Sequence, residues 1–178
     1  LDIFMHEEAS MSIREQLERD ELDFGIIIIS GASHHLQLLP MSKNQILCCV
    51  PEESPLASKK SISLQDVADS KIVMLKEGSF LRQTILGKMK EANITPNIVL
   101  ESNQIVTLKG LVASGVGITF LLDMVVGNTP GMKAIPLADP LFVDVGLAWK
   151  KDRYISKAAQ SFIDFCKDLL KQNHGSAV

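Results

Sequence analysis

The chain has no apolar run of roughly 18 residues, the length a helix needs to cross a bilayer, so no membrane span is expected. Its first residues, Leu1-Asp2-Ile3-Phe4-Met5, carry no basic stretch and no small-residue cleavage site, so no secretory signal is expected either. Residue 1 is not Met, and the native start is expected to lie elsewhere. Excess positive charge is also missing. With 18 Lys and Arg against 21 Asp and Glu, the net charge of -3 offers no electrostatic footprint for nucleic acid, so any DNA contact must come from another segment. Cysteine is sparse: Cys48 and Cys49 are neighbours in the apolar run Ile46 to Val50, and Cys166 stands alone. No Cys-x-x-Cys or His-rich spacing offers a metal cage, so no metal and no cofactor is expected. Nothing basic adjoins Cys48 or Cys49, and all three cysteines read as buried free thiols in a reducing compartment. There is no internal repeat, and low complexity is confined to the polar tail Asn173-His174-Gly175-Ser176.

What is present is 178 residues, enough for one large domain or two small lobes with a real core. Leu1 to Met5 reads as a strand. Ser10 or Ser12 is placed to cap an amphipathic helix over Ser12 to Asp20, with Ile13 and Leu17 on one face. Leu22 to Ile29 is a continuous, largely β-branched run, as in a parallel strand buried on both faces. Leu36 to Met41 and Asn44 to Val50 read as two further strands, and Pro51 to Leu56 breaks the pattern at a lobe boundary. A second α/β block follows: a short helix at Ile62 to Val67, a strand at Lys71 to Leu75, a helix from the Ser79 cap to about Ala92, and a strand at Asn97 to Glu101. Asp123 to Gly127 reads as a short helix and Asn128 to Gly131 as a turn; strands at Met132 to Pro136 and Phe142 to Trp149 come next. The last helix, Ser156 to Gln172, gathers Ala159, Phe162, Ile163, Cys166 and Leu170 on one face. Alternation in two blocks predicts parallel sheets covered on both faces, with the last strand and helix returning to the first lobe.

The most informative stretch runs from Ile105 to Leu122. Leu108, Leu111 and Val112 recur at helical spacing, the helix ends at Gly115, and a buried strand is expected from Val116. Small residues Ala113, Ser114, Gly115 and Gly117 at the joint call for close backbone approach. This stretch resembles the "LVAAGLGIALLP" segment in the effector-binding domain of LysR-type transcriptional regulators, lacking its final Pro. Three other segments resemble the same family in order. Glu18 to Ile28 is similar to its "xxGELDLAI" strand entry, with Asp20 at the usual Gly. Cys48 to Ser58 is similar to "LVVPxxHPLA", with Ser54 at the usual His. Val145 to Leu170 is similar to the terminal "lxWrkdrxlSpAaxxFxxFlxxxL". The resemblance covers nearly the whole chain. It implies an α/β fold of two Rossmann-like lobes, of the type 2 periplasmic-binding-protein kind, joined by two crossover strands around a ligand cleft. Lobe I is then 1–50 with 145–178, and lobe II is the inserted 51–144. Family members carry a further strand and helix before the Leu1 strand, and before those a winged helix-turn-helix, so the resemblance implies an N-terminally truncated regulator.

In open α/β sheets a ligand sits beyond the carboxyl ends of strands, against the amino ends of helices, whose free N–H groups favour an anion. Three polar turns fit: Glu8-Ala9-Ser10, Lys76-Glu77-Gly78-Ser79-Phe80 and Ser102-Asn103-Gln104. Ser10, Gly78, Ser79, Phe80, Ser102 and Asn103 are therefore the candidate effector-binding residues. Plain helix capping is the competing reading of each serine. The resemblance adds the strand end after "ELD", Ile29-Ser30-Gly31, and so Ser30. Other residues resemble chemistry without supporting it. Ser33 beside His34 and His35 has no Gly-x-Ser-x-Gly elbow and no acid partner, so no catalytic residue is assigned. His6 reads as a structural residue at a strand end, Trp149 as core packing, and Lys150 to Arg153 as a solvated turn.

The resemblance implies a cytoplasmic, ligand-sensing regulatory domain, not an enzyme. It would bind a small carboxylate, self-associate as a dimer (a tetramer in the full-length protein), and reach DNA only through the absent N-terminal domain. Its dimer contacts would include the helix after Ser79. The alternative is a solute-binding protein of a transport system with the same two-lobed fold. A prephenate dehydratase-like lyase is disfavoured because no Thr-Arg-Phe triplet occurs.

Overall fold

In the computed structural model the chain divides into two units, one of Leu1–Met11 with Asn44–Val143, the other of Ser12–Lys43 with Asp144–Val178. The structure describes residues 3–29, 31 and 33–175.

The second unit is built on α1 (Ser10–Glu18), which begins at the boundary, β1 (Gly25–Ile29), the first half of β2 (Leu36–Pro51), most of β7 (Phe142–Lys150) and α5 (Lys157–Gly175). Leu17 of α1 is fully buried and joins Ile27, Leu36 and Ala148 in one small core, with Ile13, Leu22 and Leu38 around it. The other core is Leu147, Ile163 and Cys166, flanked by Phe24, Leu39, Met41, Trp149 and Ile155. Opposite faces of β1 and β7 thus serve different helices, as period-two alternation requires. The Phe24 and Phe162 rings lie 5.4 Å apart.

Two expectations for this region are corrected. Residues 3–5 form no strand and are exposed (Leu1 and Asp2 fall outside the described residues). A strand needs a hydrogen-bonded neighbour, and none pairs with residues 3–5 among the described residues. β1 is antiparallel, not parallel: it pairs with β7 from Gly25↔Ala148 to Ile29↔Asp144, and only Ile27 of its residues is buried. An apolar run reports contact with a core and says nothing about strand direction.

Asp20, at a position the family gives to Gly, explains itself in the structure. It takes a left-handed conformation (φ 64°) just past α1, while Glu21 N–H donates to Gln16 O at 2.9 Å to close the helix end. Its carboxylate meets Lys150 and Arg153, and Arg153 also reaches Asp23 at 3.0 Å and Leu22 O at 3.0 Å. Lys150 and Arg153 therefore fasten the α1–β1 loop to the end of β7, a correction to the reading of that run as merely solvated.

The first unit holds the larger core. The second half of β2 pairs antiparallel with β5 (Thr119–Leu122), Ile46↔Leu122 to Cys49↔Thr119, and with β6 (Met132–Pro136), Leu47↔Pro136 to Pro51↔Met132. The expected two strands at 36–50 are thus one strand of 16 residues. β3 (Lys71–Leu75) and β4 (Asn97–Ser102) form the parallel pair, ending at Leu75↔Ser102, with an irregularity between Ile72 and Val73. Parallel pairing occurs in this sheet and in isolated bridges, while β1 with β7, and β2 with β5 and β6, pair antiparallel. α2 (Phe80–Glu91) buries Leu81, Ile85 and Met89, and α3 (Ile105–Ala113) buries Leu108 and Val112. Cys49, Val73, Leu108, Val112, Leu121 and the Val126 of α4 (Asp123–Val126) make one cluster. Burying a side chain of this size contributes roughly 1.5–3 kcal/mol. The expected helix at Ile62 to Val67 is only a 3-10 turn, Gln65–Val67, because Ile62 instead bridges to Leu137. Ser54, where the family has His, caps the 3-10 turn Pro55–Ser58, its Oγ accepting from Leu56 N–H at 3.3 Å.

Candidate functional site

The carboxyl ends of β3 and β4 lie side by side in the first unit, and two polar turns leave from them. After Leu75 the chain turns through Gly78 (φ 86°) to Ser79, the N-cap of α2. Ser79 Oγ accepts from Arg82 N–H at 3.4 Å, as its cap position predicts. Phe80 is half-buried as the first helical residue. At the end of β4, Ser102 Oγ accepts from Gln104 N–H at 3.1 Å, and exposed Asn103 follows. Both hydroxyls are oriented by an accepted backbone bond, which leaves each O–H free in principle to donate outward.

The structure brings Gly78, Ser79, Phe80, Ser102 and Asn103 to one edge, because Leu75 pairs with Ser102. The Glu8–Ser10 segment comes to the same place: a Cβ added at Gly78 would lie 3.7 Å from the Cβ of Ala9. Ser10 is the first residue of α1. Ser30 lies outside the described residues.

Sequence reasoning missed two charged residues here. Arg82 Nη1 donates to Leu75 O at 2.8 Å and to Glu101 Oε1 at 2.6 Å. Its side chain is only 12% exposed, that of Glu101 39%. A cation in the first turn of a helix opposes the helix dipole, and that local conflict in Ser79-Phe80-Leu81-Arg82 was the available signal that a partner had to be near.

The remaining candidates for chemistry are accounted for. Ser33 Oγ accepts from Leu36 N–H at 3.0 Å at the start of β2, and His34 and His35 are exposed, so the serine serves the turn into β2. His6 is exposed and ends no strand. The three cysteines are free and buried. Burial pushes the Cys49 thiol up to about 12, with Lys109 opposing, raises Cys48 with Cys49 adding to the effect, and raises Cys166 as well. Cys48 and Cys49 also point to opposite faces of β2, so neither the thiolate nor the pairing needed for redox switching is supported. Among the described residues no group of three His, Cys, Asp or Glu is placed to hold a metal, and no helix is long and apolar enough to cross a membrane.

Two α/β units, with polar turns gathered at the carboxyl edge of a parallel strand pair, define the class of two-lobed small-ligand receptors with the periplasmic-binding-protein-like fold. The model of the LysR substrate binding domain matches residues 1–171, and the chain belongs to that family. It is 32% identical over 149 residues to the HTH-type transcriptional regulator YybE of Bacillus subtilis, covering 83% of this chain and 51% of that protein. It is 28% identical over 121 residues to the transcriptional dual regulator OxyR of Escherichia coli, covering 68% and 40%. Among solved structures it is similar to the effector binding domain of QuiR in complex with shikimate, with a TM-score of 0.82, 29% identity, and 93% and 79% of the two chains covered. The chain spans about half the length of the first curated relatives it matches. These relatives are transcriptional regulators, which favours the regulator reading over a transport binding protein.

Proposed function

We propose that this chain is the effector-sensing regulatory domain of a LysR-type transcriptional regulator. The effector is a small organic acid. The observation that carries this reading is the meeting of the Ser79 and Ser102 turns, with Ala9 alongside, at the carboxyl ends of β3 and β4. There the helix N-termini offer N–H groups and the serines offer hydroxyls. Shikimate, bound by QuiR, is a carboxylate of the expected size. The domain works in the cytoplasm, catalyses no reaction, dimerises with α2 in the interface, and passes the effector signal to DNA through a separate winged helix-turn-helix. Effector binding moves the dimer only by its differential affinity for two arrangements.

A thermal-shift screen of shikimate, pyruvate, acetate, citrate and benzoate, each beside a neutral ester or amide, tests the reading. A ligand at a hundred times its Kd stabilises by about 2.7 kcal/mol, a shift of roughly 5–10 °C for a chain of this length. Calorimetry on the double variant Ser79→Ala/Ser102→Ala then tests the site. Two charge-assisted hydrogen bonds are worth about 1.5–3 kcal/mol each, so affinity should fall at least about a hundredfold. Unchanged affinity in a variant that still unfolds cooperatively removes these serines from the site.

A further inference from the structure

We infer that Arg82 is the positioning residue of the effector edge, a step that rests on the effector reading above. One guanidinium nitrogen holds three segments at once. It sits on the first turn of α2, donates to the last carbonyl of β3 at Leu75 (2.8 Å), and pairs with Glu101 one residue before the end of β4 (2.6 Å). These are the segments that present Ser79 and Ser102. Apart from its ladder with β3 and its contact with α3, the end of β4 is open to solvent. It is the outer strand of a two-stranded sheet, its Val99 and Leu100 are 43% and 37% exposed, and its register slips at Ile72/Val73 before resuming at Val73↔Leu100. Every strand pair beyond that slip ends at the Arg82 contact. The planar guanidinium suits this role because its N–H groups are locked in one plane, whereas those of a lysine ammonium rotate freely about the Cε–Nζ bond. Burying most of that charge beside a carboxylate is costly without the pairing, so the geometry is held rather than incidental.

The test is amide hydrogen exchange on the whole chain, with Val73 and Met74 of β3 as internal reference. Glu101→Ala removes the β4 anchor and leaves the Leu75 bond, so exchange at residues 102–104 should rise about tenfold relative to the reference while residues 76–79 stay near wild type. Arg82→Met should raise both segments, and Arg82→Lys should fail to restore them. A structural role alone would raise the reference amides equally. If Glu101→Ala speeds residues 102–104 by no more than it speeds the reference amides, the inference falls, whether or not Arg82→Met folds. Shikimate titrated into wild type and Glu101→Ala separates the two readings. If wild type binds and the variant binds at least tenfold more weakly, positioning is supported; equal affinity in the two overturns it. Absence of wild-type binding to shikimate counts against the ligand class, and the exchange result then decides the clamp by itself.

Discussion

At the scale of single residues, charge is used in this chain to fix turns. Asp66 is the clearest instance. Its Oδ2 accepts from Ser63 N–H at 2.9 Å, Ser63 Oγ accepts from Asp66 N–H at 3.2 Å, and Lys59 Nζ donates to Oδ1 at 2.5 Å. The bond from Lys59 first, then those from the Ser63 backbone N–H and the Ser63 hydroxyl, hold the Asp66 carboxyl down at about 2. An ordinary aspartate titrates near 3.9, so the native state binds this proton less readily than the unfolded chain. The contribution to stability is therefore full above about pH 4 and is lost as pH falls through about 2. Asp66→Asn should be less stable than wild type in urea at pH 7, and the gap should close between pH 4 and pH 2. A gap that stays constant down to pH 2 would assign the role of Asp66 to shape and not to charge. The Arg82–Glu101 pair also uses charge to fix a turn, at the carboxyl ends of β3 and β4, yet its two members stand 19 residues apart. Ser79 was legible because a cap acts on its own helix. That pair was not, because its partner is chosen by the β3–β4 register.

At the scale of elements, the helix–strand joint shows two glycines kept for different reasons. Gly115 closes α3 in a left-handed conformation (φ 76°), its N–H donating to Val112 O at 2.9 Å and that of Val116 to Leu111 O at 3.0 Å. Gly117 has no such backbone; a Cβ there would strike the Lys71 carbonyl, to which Ile118 N–H donates at 2.8 Å. Gly115→Ala should cost about 1–2 kcal/mol, the left-handed penalty of an L residue. Gly117→Ala should cost more, about 3 kcal/mol, because a backbone carbonyl cannot turn aside as a side chain does. Urea midpoints measure both, and the reverse order would mean that β3 yields to the methyl group. The close approach was legible in the small residues themselves. The start of the strand was not: the expected start at Val116 gives way to a ladder from Thr119, with Ile118 making only a bridge to Ile72. Elements set by local rules, such as α2 between Ser79 and Ala92, matched their expected bounds. The polar Ser42-Lys43-Asn44 interruption misled because β2 runs through it without a turn, Asn44 being buried.

At the scale of the whole molecule, apolar residues are shared unequally between the two units. In the first unit Ile46, Val50, Ile62, Ile72, Val73, Ile85, Met89, Leu108 and Leu121 are all fully buried. The second unit has two small cores, of four and three buried residues, and its Ile26, Phe162, Phe165 and Leu169 stay exposed, as do Val106 and Met124 of the first. Periodicity along α5 correctly placed Ile163 and Cys166 inside, but it also placed Phe162 there, because a helical face predicts direction and not the presence of something to cover it. Less burial means less hydrophobic stabilisation, at roughly 25 cal/mol per Å². The second unit should therefore open first. The chain supplies its own probe, since its one tryptophan, Trp149, packs in the second unit against the Leu147, Ile163 and Cys166 core. In a urea titration the Trp149 fluorescence midpoint should fall below the far-UV circular dichroism midpoint, which averages both units. Two probes that disagree mark a departure from two-state unfolding. Coincident curves would mean that the units unfold as one cooperative body, and that the weaker cores of the second unit are stabilised by the first.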